Sequence, residues 1–475
     1  MSNFNIKSLT GLTQDSRAVK RGYLFAALPG SRADGQRFIA DAIQNGASAI
    51  LAPTGAMLPE NAKNITLITD DNPRRKLALL AAEFYARQPP FIAAVTGTNG
   101  KTSTAHFARD LWKHSGIKAA SIGTLGVRAG DIDRPGALTT PDPVSLHAEL
   151  ADLAAAGITH LVMEASSIGL HQHRLDGVHV KIAAYTNLSW DHIDYHGDMD
   201  RYFESKMRLF ADILPEDGVA VLNADTAEFE TIKALVEKRG AAVLSYGRNG
   251  KDIRIIESAL VPGGKKLHLE IMGDNYELAF PVVGDFQLMN ALCALGIVIA
   301  ENPSDKKSTA QFAKGLSHLQ GPPGRLQYVP GHKSAAVYVD YAHTPDALKN
   351  ILEALRPHAA GKLVCLFGCG GDRDRAKRPA MGKIATELAD AVIVTDDNPR
   401  SENPAAIRSE ILAAAPGALE IEDRRAAIRH AVRSLKSGDI LIIAGKGHEQ
   451  GQIFADRTEP FDDVTEAVSA IKELN

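Results

Sequence analysis

The sequence predicts an α/β protein of three domains: a small N-terminal α/β domain, a central P-loop ATPase-like domain with a parallel sheet, and a C-terminal Rossmann-like domain. Three observations carry that prediction. The chain has 475 residues, against a prior of about 150 per domain. Short apolar runs alternate with helical patterns, which is the signature of parallel βαβ units. Pro89-Pro90 and Gly321-Pro322-Pro323-Gly324 punctuate that alternation, because proline disfavours helix in the residue before it. The expected domains are therefore 1–88, 89–321 and 322–475.

Composition narrows the class. Apolar residues at 45% and charged residues at 23% are the values of an ordinary soluble globular protein, with a core large enough to need no staples. Lys plus Arg is 53 and Asp plus Glu 57, a formal charge of −4, which argues against a dedicated nucleic-acid or membrane-surface binder. Cys293, Cys365 and Cys369 form no CxxC pair, so neither a disulfide scaffold nor a structural zinc site is expected. The opening residues carry no apolar signal region and no run approaches the ~20 apolar residues of a membrane span. A cytoplasmic enzyme is the expectation.

In the first domain, the strand-like runs are Tyr23 to Leu28, Ser48 to Ala52 and Ile65 to Ile68, with a helical pattern over Gln36 to Asn45. The second opens on an apolar strand, a glycine turn and a helix. Strands follow at Lys118 to Ile122, His160 to Ala165 and Lys181 to Thr186, with a helix over Val144 to Ala156. In the third, strands at Ala335 to Tyr341, Lys362 to Phe367, Ala391 to Thr395 and Ile440 to Ala444 alternate with helices at Asp346 to Pro357, Pro379 to Leu388, Ala405 to Ala414 and Arg425 to Leu435.

Thr96-Gly97-Thr98-Asn99-Gly100-Lys101-Thr102 lies between a predicted strand and a predicted helix. Its glycines let backbone N–H groups face an anion, and the helix N-terminus adds its positive end. Lys101 would reach the β- and γ-phosphates and the Thr102 hydroxyl a Mg²⁺. The match to G-x-x-x-x-G-K-[ST] is imperfect, since the first glycine would fall at Val95. Glu164 ends an apolar strand and reads either as the metal's acidic partner or as a surface carboxylate. Asp191-His192-Ile193-Asp194-Tyr195-His196, with His171 and His173 upstream, lacks the H-E-x-x-H pattern of a zinc hydrolase. Structural histidines, or a His192 that helps hold the nucleotide's Mg²⁺, remain the other readings.

Four polar clusters follow strands of the third domain: Asp340 to His343, Gly368 to Arg375, Asp396 to Arg400, and Gly445 to Glu449. Ligands bind outside the C-terminal strand ends of an open parallel sheet. Arginines for carboxylates, with Asp and Glu for an ammonium, suit a small zwitterion.

Together these residues resemble the Mur ligase family of peptidoglycan synthesis over all three domains, nearest to the members that add the third peptide residue. TGTNGKT is similar to the family's shortened phosphate loop, which accounts for Val95. The resemblance implies ATP contacts at Gly97, Thr98, Asn99, Gly100, Lys101, Thr102 and Ser103, with Asn290 and Arg325 farther on. It implies muramoyl-nucleotide contacts at Ser16, Ser31, Arg32, Ala33, Thr139, Thr140, Ser166, Gln172 and Arg174. It implies a diaminopimelate pocket of Arg373, Asp397, Asn398, Pro399, Arg400, Gly445 and Glu449. Lys101, Glu164, His192 and Lys206 become the catalytic set, with Thr102, Glu164, His192 and a carbamylated Lys206 holding Mg²⁺. Ile168 and Trp190 depart from the family's pattern, which has His in SSHGL and a basic or polar residue before Asp191-His192.

The implied reaction adds meso-2,6-diaminopimelate to UDP-N-acetylmuramoyl-L-alanyl-D-glutamate. ATP and Mg²⁺ drive it, a CO₂-derived carbamate on Lys206 assists, and an acyl phosphate is the intermediate. The chain is then a monomer with no nucleic-acid or membrane partner, and its domains close about the linkers near Pro89 and Gly321. A simple P-loop NTPase switch would lack the Asp397 to Arg400 cluster. A folylpolyglutamate synthase-like ligase should lack both that motif and Thr139-Thr140-Pro141. A lysine-adding relative is the nearest alternative.

Overall fold

The computed structural model describes residues 5–30, 34–60, 62, 64–261 and 264–474. Ser31, Arg32 and Ala33 lie outside the described residues. The chain forms two compact units, 1–246 with 296–302, and 247–295 with 303–475.

In the first unit, Gly11–Thr13, Tyr23–Ala26, Ala49–Pro53 and Thr66–Asp70 make a four-stranded parallel sheet in chain order. The helix expected over Gln36 to Asn45 is split into a 3-10 turn, Gly35–Phe38, and an α-helix, Ile39–Gln44. Asp34 caps the turn through the Gln36 N–H, and the two pieces replace one continuous helix.

The larger sheet of this unit runs Ala242–Gly247, Val219–Asn223, Ile182–Tyr185, Phe91–Thr96, His160–Glu164 and Ala119–Gly123, all parallel. Phe91–Thr96 is buried at every residue, as a strand covered on both faces must be. Register decides where the loops emerge. Val95 lies opposite Glu164 on one side and Thr96 opposite Tyr185 on the other. The segments after residues 96, 164 and 185 therefore leave the same edge beside one another. An antiparallel extension, Gly126–Ala129 and Ile132–Arg134, follows Ala119–Gly123.

In the second unit, Ala336–Asp340, Ile440–Ala444, Leu363–Phe367, Ala391–Val394 and Leu419–Glu420 form a parallel sheet, edged by the antiparallel strand Gln327–Val329. Asp340 pairs with Ala444 and Phe367 with Val394, so the four polar clusters do emerge at one edge. Apolar side chains pack on both faces, Leu352, Phe367 and Met381 in one core and Ile428, Leu441 and Ile471 in the other. Ile253–Val261, Gly264–Ile271 and Asp274–Phe280 make an antiparallel meander that the sequence reading did not contain.

Candidate active site

The loop from Thr96 to Thr102 depends on two glycines. Gly97 has φ of +148°, and a Cβ there would stand 1.9 Å from Thr186 Oγ1. Gly100, with φ of +88°, caps the helix Lys101–His114, a conformation that costs glycine least. The neighbouring loop clamps this one from the side: Asn99 N–H donates to Asn187 Oδ1 at 2.9 Å, and Ser189 N–H to Thr98 Oγ1 at 2.9 Å. Lys101 Nζ folds back to donate to the carbonyls of Gly97 and Thr98, each at 2.8 Å. The backbone and the lysine thus form an anion cradle at a helix N-terminus. Ser103 is buried in the first turn of that helix.

Glu164 is 2% exposed. Its Oε2 accepts from the hydroxyls of Thr102 (3.0 Å) and Thr124 (3.1 Å), and its Oε1 from Thr124 N–H (2.8 Å). None of the ion pairs among the described residues includes Glu164. A buried carboxylate surrounded by neutral donors, beside the hydroxyl of the phosphate loop, is a site whose charge suits a hard cation.

Lys206 is 1% exposed on the helix Met199–Arg208. Its Nζ donates to Gly97 O at 2.9 Å and lies 4.1 Å over the Tyr202 ring. Burial and then the nearby Lys101 charge hold its pKa well below the usual lysine value, against the pull of Asp191. The Tyr202 hydroxyl contacts Thr98 Oγ1 at 3.1 Å, so one aromatic residue ties the lysine to the loop. His192 has a left-handed backbone, φ +53°, and stands 3.5 Å from Asp191 Oδ2. Burial lowers its pKa, Asp191 opposes this, and Lys101 and Lys206 add to it.

The other histidines of the segment have separate partners. His196 Nε2 meets Ser167 Oγ at 3.0 Å, His171 Nδ1 the Tyr195 hydroxyl at 3.0 Å, and His173 contacts Asn72 and Asp176. Among the described residues no three His, Cys, Asp or Glu side chains gather as a metal-binding group.

Beside this region, Thr140 Oγ1 lies 3.0 Å from Ser166 Oγ. Arg174 donates to Thr140 O (2.6 Å) and Gln172 Oε1 (2.7 Å). Thr139 reaches Thr124 at 3.1 Å. Gln172 and Arg174 also line a cleft with Gln14, Arg74, Leu138 and Asp142. Ser16 begins a short 3-10 turn capped by Asp15.

In the second unit, Asn290 donates to Gln287 Oε1 at 3.1 Å and Gln287 to Arg325 O at 3.3 Å. Arg325 stacks 4.5 Å over Tyr341. At the strand ends, Arg400 adopts φ +52°. Its N–H donates to Ile453 O, and its Nη1 to Gly371 O at 2.9 Å. Asn398 Nδ2 donates to Glu449 Oε2 at 2.8 Å. Gly445, φ +117°, leaves Asp397 room that a Cβ would fill, at 2.6 Å from Oδ2. Arg373 is exposed, donating to Asp372 O. Lys446, Thr124, Tyr202 and Gln287 were absent from the sequence-derived site. Only Lys446 carried a signal, its place between Gly445 and Gly447.

An anion cradle on a parallel sheet and a carboxylate-and-cation cluster on a second sheet are the parts that a nucleoside-triphosphate-dependent ligase requires. The chain belongs to the Mur ligase family, whose members are ATP-dependent ligases. Residues 8–85 match the model described as Mur ligase family, catalytic domain, residues 95–298 the Mur ligase middle domain, and residues 324–447 the Mur ligase, glutamate ligase domain. It is similar to UDP-N-acetylmuramoyl-L-alanyl-D-glutamate–2,6-diaminopimelate ligases. The relative from Rhizobium meliloti is 52% identical over 465 residues, 98% of this chain and 94% of the relative. That from Caulobacter vibrioides is 49% identical over 474 residues, 98% of this chain and 96% of the relative. A solved structure of a ligase of that name superposes with a TM-score of 0.71 at 34% identity, covering 98% and 95% of the two chains.

Proposed function

We infer that this chain joins meso-2,6-diaminopimelate to UDP-N-acetylmuramoyl-L-alanyl-D-glutamate at the expense of ATP. The observation that supports this most is the Asp397–Arg400 segment, whose carboxylate, amide and guanidinium stand with Glu449 at one sheet edge. Diaminopimelate carries a distal carboxylate that lysine lacks, and a guanidinium offers a planar fork for both of its oxygens.

A carboxylate is a poor electrophile. An oxygen of the D-glutamate carboxylate attacks the γ-phosphorus of ATP, and the bond to ADP breaks. The amine of diaminopimelate, after losing a proton, attacks the acyl carbon, and phosphate leaves with the carboxylate oxygen. The Gly97–Ser103 loop cradles the phosphates, Lys101 neutralises charge on the transferring group, and Asn290 and Arg325 serve the nucleoside end. Ser16, Thr139, Thr140, Ser166, Gln172 and Arg174 hold the muramoyl nucleotide, Arg174 bracing the Thr140 carbonyl.

Burial and the nearby Lys101 charge favour the neutral form of the Lys206 amine, whose lone pair would bond to CO₂ with loss of one proton to give an anionic carbamate. Thr102, Glu164, His192 and that carbamate form an oxygen-rich set that would hold Mg²⁺, which supplies charge neutralisation at the phosphates when bound. The reading keeps the division at 88 and 321, with the muramoyl substrate on 1–88, ATP on 89–321 and the amino acid on 322–475. It takes the chain as a cytoplasmic monomer with soluble substrates; no helix among the described residues is long and apolar enough to cross a membrane.

The test is isotopic. With heavy oxygen in the glutamate carboxylates of the substrate, each turnover should place one labelled oxygen in the released phosphate, and only when ATP, nucleotide and amino acid are all present. Unlabelled phosphate would exclude the acyl phosphate.

A further inference from the structure

Lys446 has no role in the reading above, yet its side chain is wholly buried. It sits between Gly445 (φ +117°) and Gly447 (φ +56°), just past the strand Ile440–Ala444. Its Nζ donates to Asn398 Oδ1 at 2.8 Å, and the Ile453 N–H donates to the same oxygen at 3.0 Å. Two donors on one oxygen fix which way the amide faces, since turning it over would aim N–H groups at N–H groups. The amide nitrogen is thereby directed to Glu449 Oε2 at 2.8 Å. Lys446 also stands 3.5 Å from Glu449 and 3.8 Å from Asp397, so it is the cation between two carboxylates. Glu449 is one-third exposed, at 33%, and the chain Lys446–Asn398–Glu449 thus begins in the core and ends at solvent.

We propose that Lys446 is a positioning residue for amino-acid recognition: it sets the Asn398 amide, which holds the Glu449 carboxylate as acceptor for the substrate ammonium. This rests on the amino-acid pocket assigned above. A lysine that served only to fill or charge-balance the fold would affect the amount of folded protein and not the selectivity of binding. A lysine that sets the acceptor should act on one substrate.

The experiment compares wild type, Lys446→Met and Lys446→Gln by steady-state phosphate release, with melting temperatures confirming the fold. Lys446→Met should raise KM for diaminopimelate by about tenfold or more, while KM for ATP and for the muramoyl nucleotide stay within about twofold. Lys446→Gln keeps an N–H donor for Asn398 Oδ1 and should recover part of that loss. An unchanged diaminopimelate KM in folded Lys446→Met, an equal rise in all three KM values, or failure of both variants to fold would overturn the proposal. Wild type that does not consume diaminopimelate would instead refute the function from which the proposal starts.

Discussion

Lys206 is placed where a solvated side chain would be read from sequence, yet it is buried, as is Lys446. In Tyr202-Phe203-Glu204-Ser205-Lys206 the sequence shows only that Tyr202 stands one helical turn before the lysine; the Gly97 carbonyl that its amine meets is brought to it by the fold. Lys101 was legible without the fold, because a glycine pair before a helix fixes where its amine must go. Trp190, a departure from the family pattern, is 69% exposed, and nothing in the structure explains the substitution. Lys206→Ala should lower turnover by about a hundredfold or more, the scale of a lost charge-stabilising group. Short carboxylic acids should restore part of the activity by supplying the missing anion. A folded Lys206→Ala protein with near-normal turnover in CO₂-free buffer would contradict the carbamate.

At the scale of elements, helix starts carry a local signal that the expected helices missed by one residue at Pro143, Pro345 and Pro404 and altogether at Pro73. Asn72-Pro73, Asp142-Pro143, Thr344-Pro345 and Asn403-Pro404 each set a capping side chain before a proline at the first helical position, where the missing N–H costs nothing. Val219–Asn223 and Ala242–Gly247 were not among the expected strands, but most buried parallel strands read as short apolar runs. The meander over Ile253–Phe280 did not, because its alternating burial mixes Arg254, Glu257 and Lys266 with apolar residues, and pairing depends on register.

The helix Pro143–Ala155 carries a further consequence. His147 on it is 1% exposed, and burial lowers its pKa from 6.5 to about 4. The unfolded chain takes up this proton near 6.5, the folded protein only near 4, so stability is complete above 6.5 and falls as pH drops through that window. The loss is of the order of 3 kcal/mol. His147→Leu should flatten the acid limb of a melting-temperature profile between these values. An unaltered slope would show that other groups set it.

Across the whole molecule, the sequence placed the phosphate-loop motif and the four polar clusters on different sheets, and the two compact units carry one set each. Strand register explains why this much was readable: motifs that end parallel strands share an edge wherever the strands pair. What it could not supply was the network inside each site, such as Glu164 with Thr124 or Asn398 with Lys446, since those contacts join residues tens of positions apart. The claim that rests on both sites is the choice of amino acid. Phosphate release from ATP and UDP-N-acetylmuramoyl-L-alanyl-D-glutamate should be measured for wild type and Arg400→Ala, each offered meso-diaminopimelate or L-lysine. Wild type should use diaminopimelate far better, because lysine leaves a guanidinium without its carboxylate, typically a loss of about a hundredfold. Arg400→Ala should lose diaminopimelate while keeping its KM for ATP. Equal use of the two amino acids by wild type, or unchanged diaminopimelate kinetics in Arg400→Ala, would contradict the account.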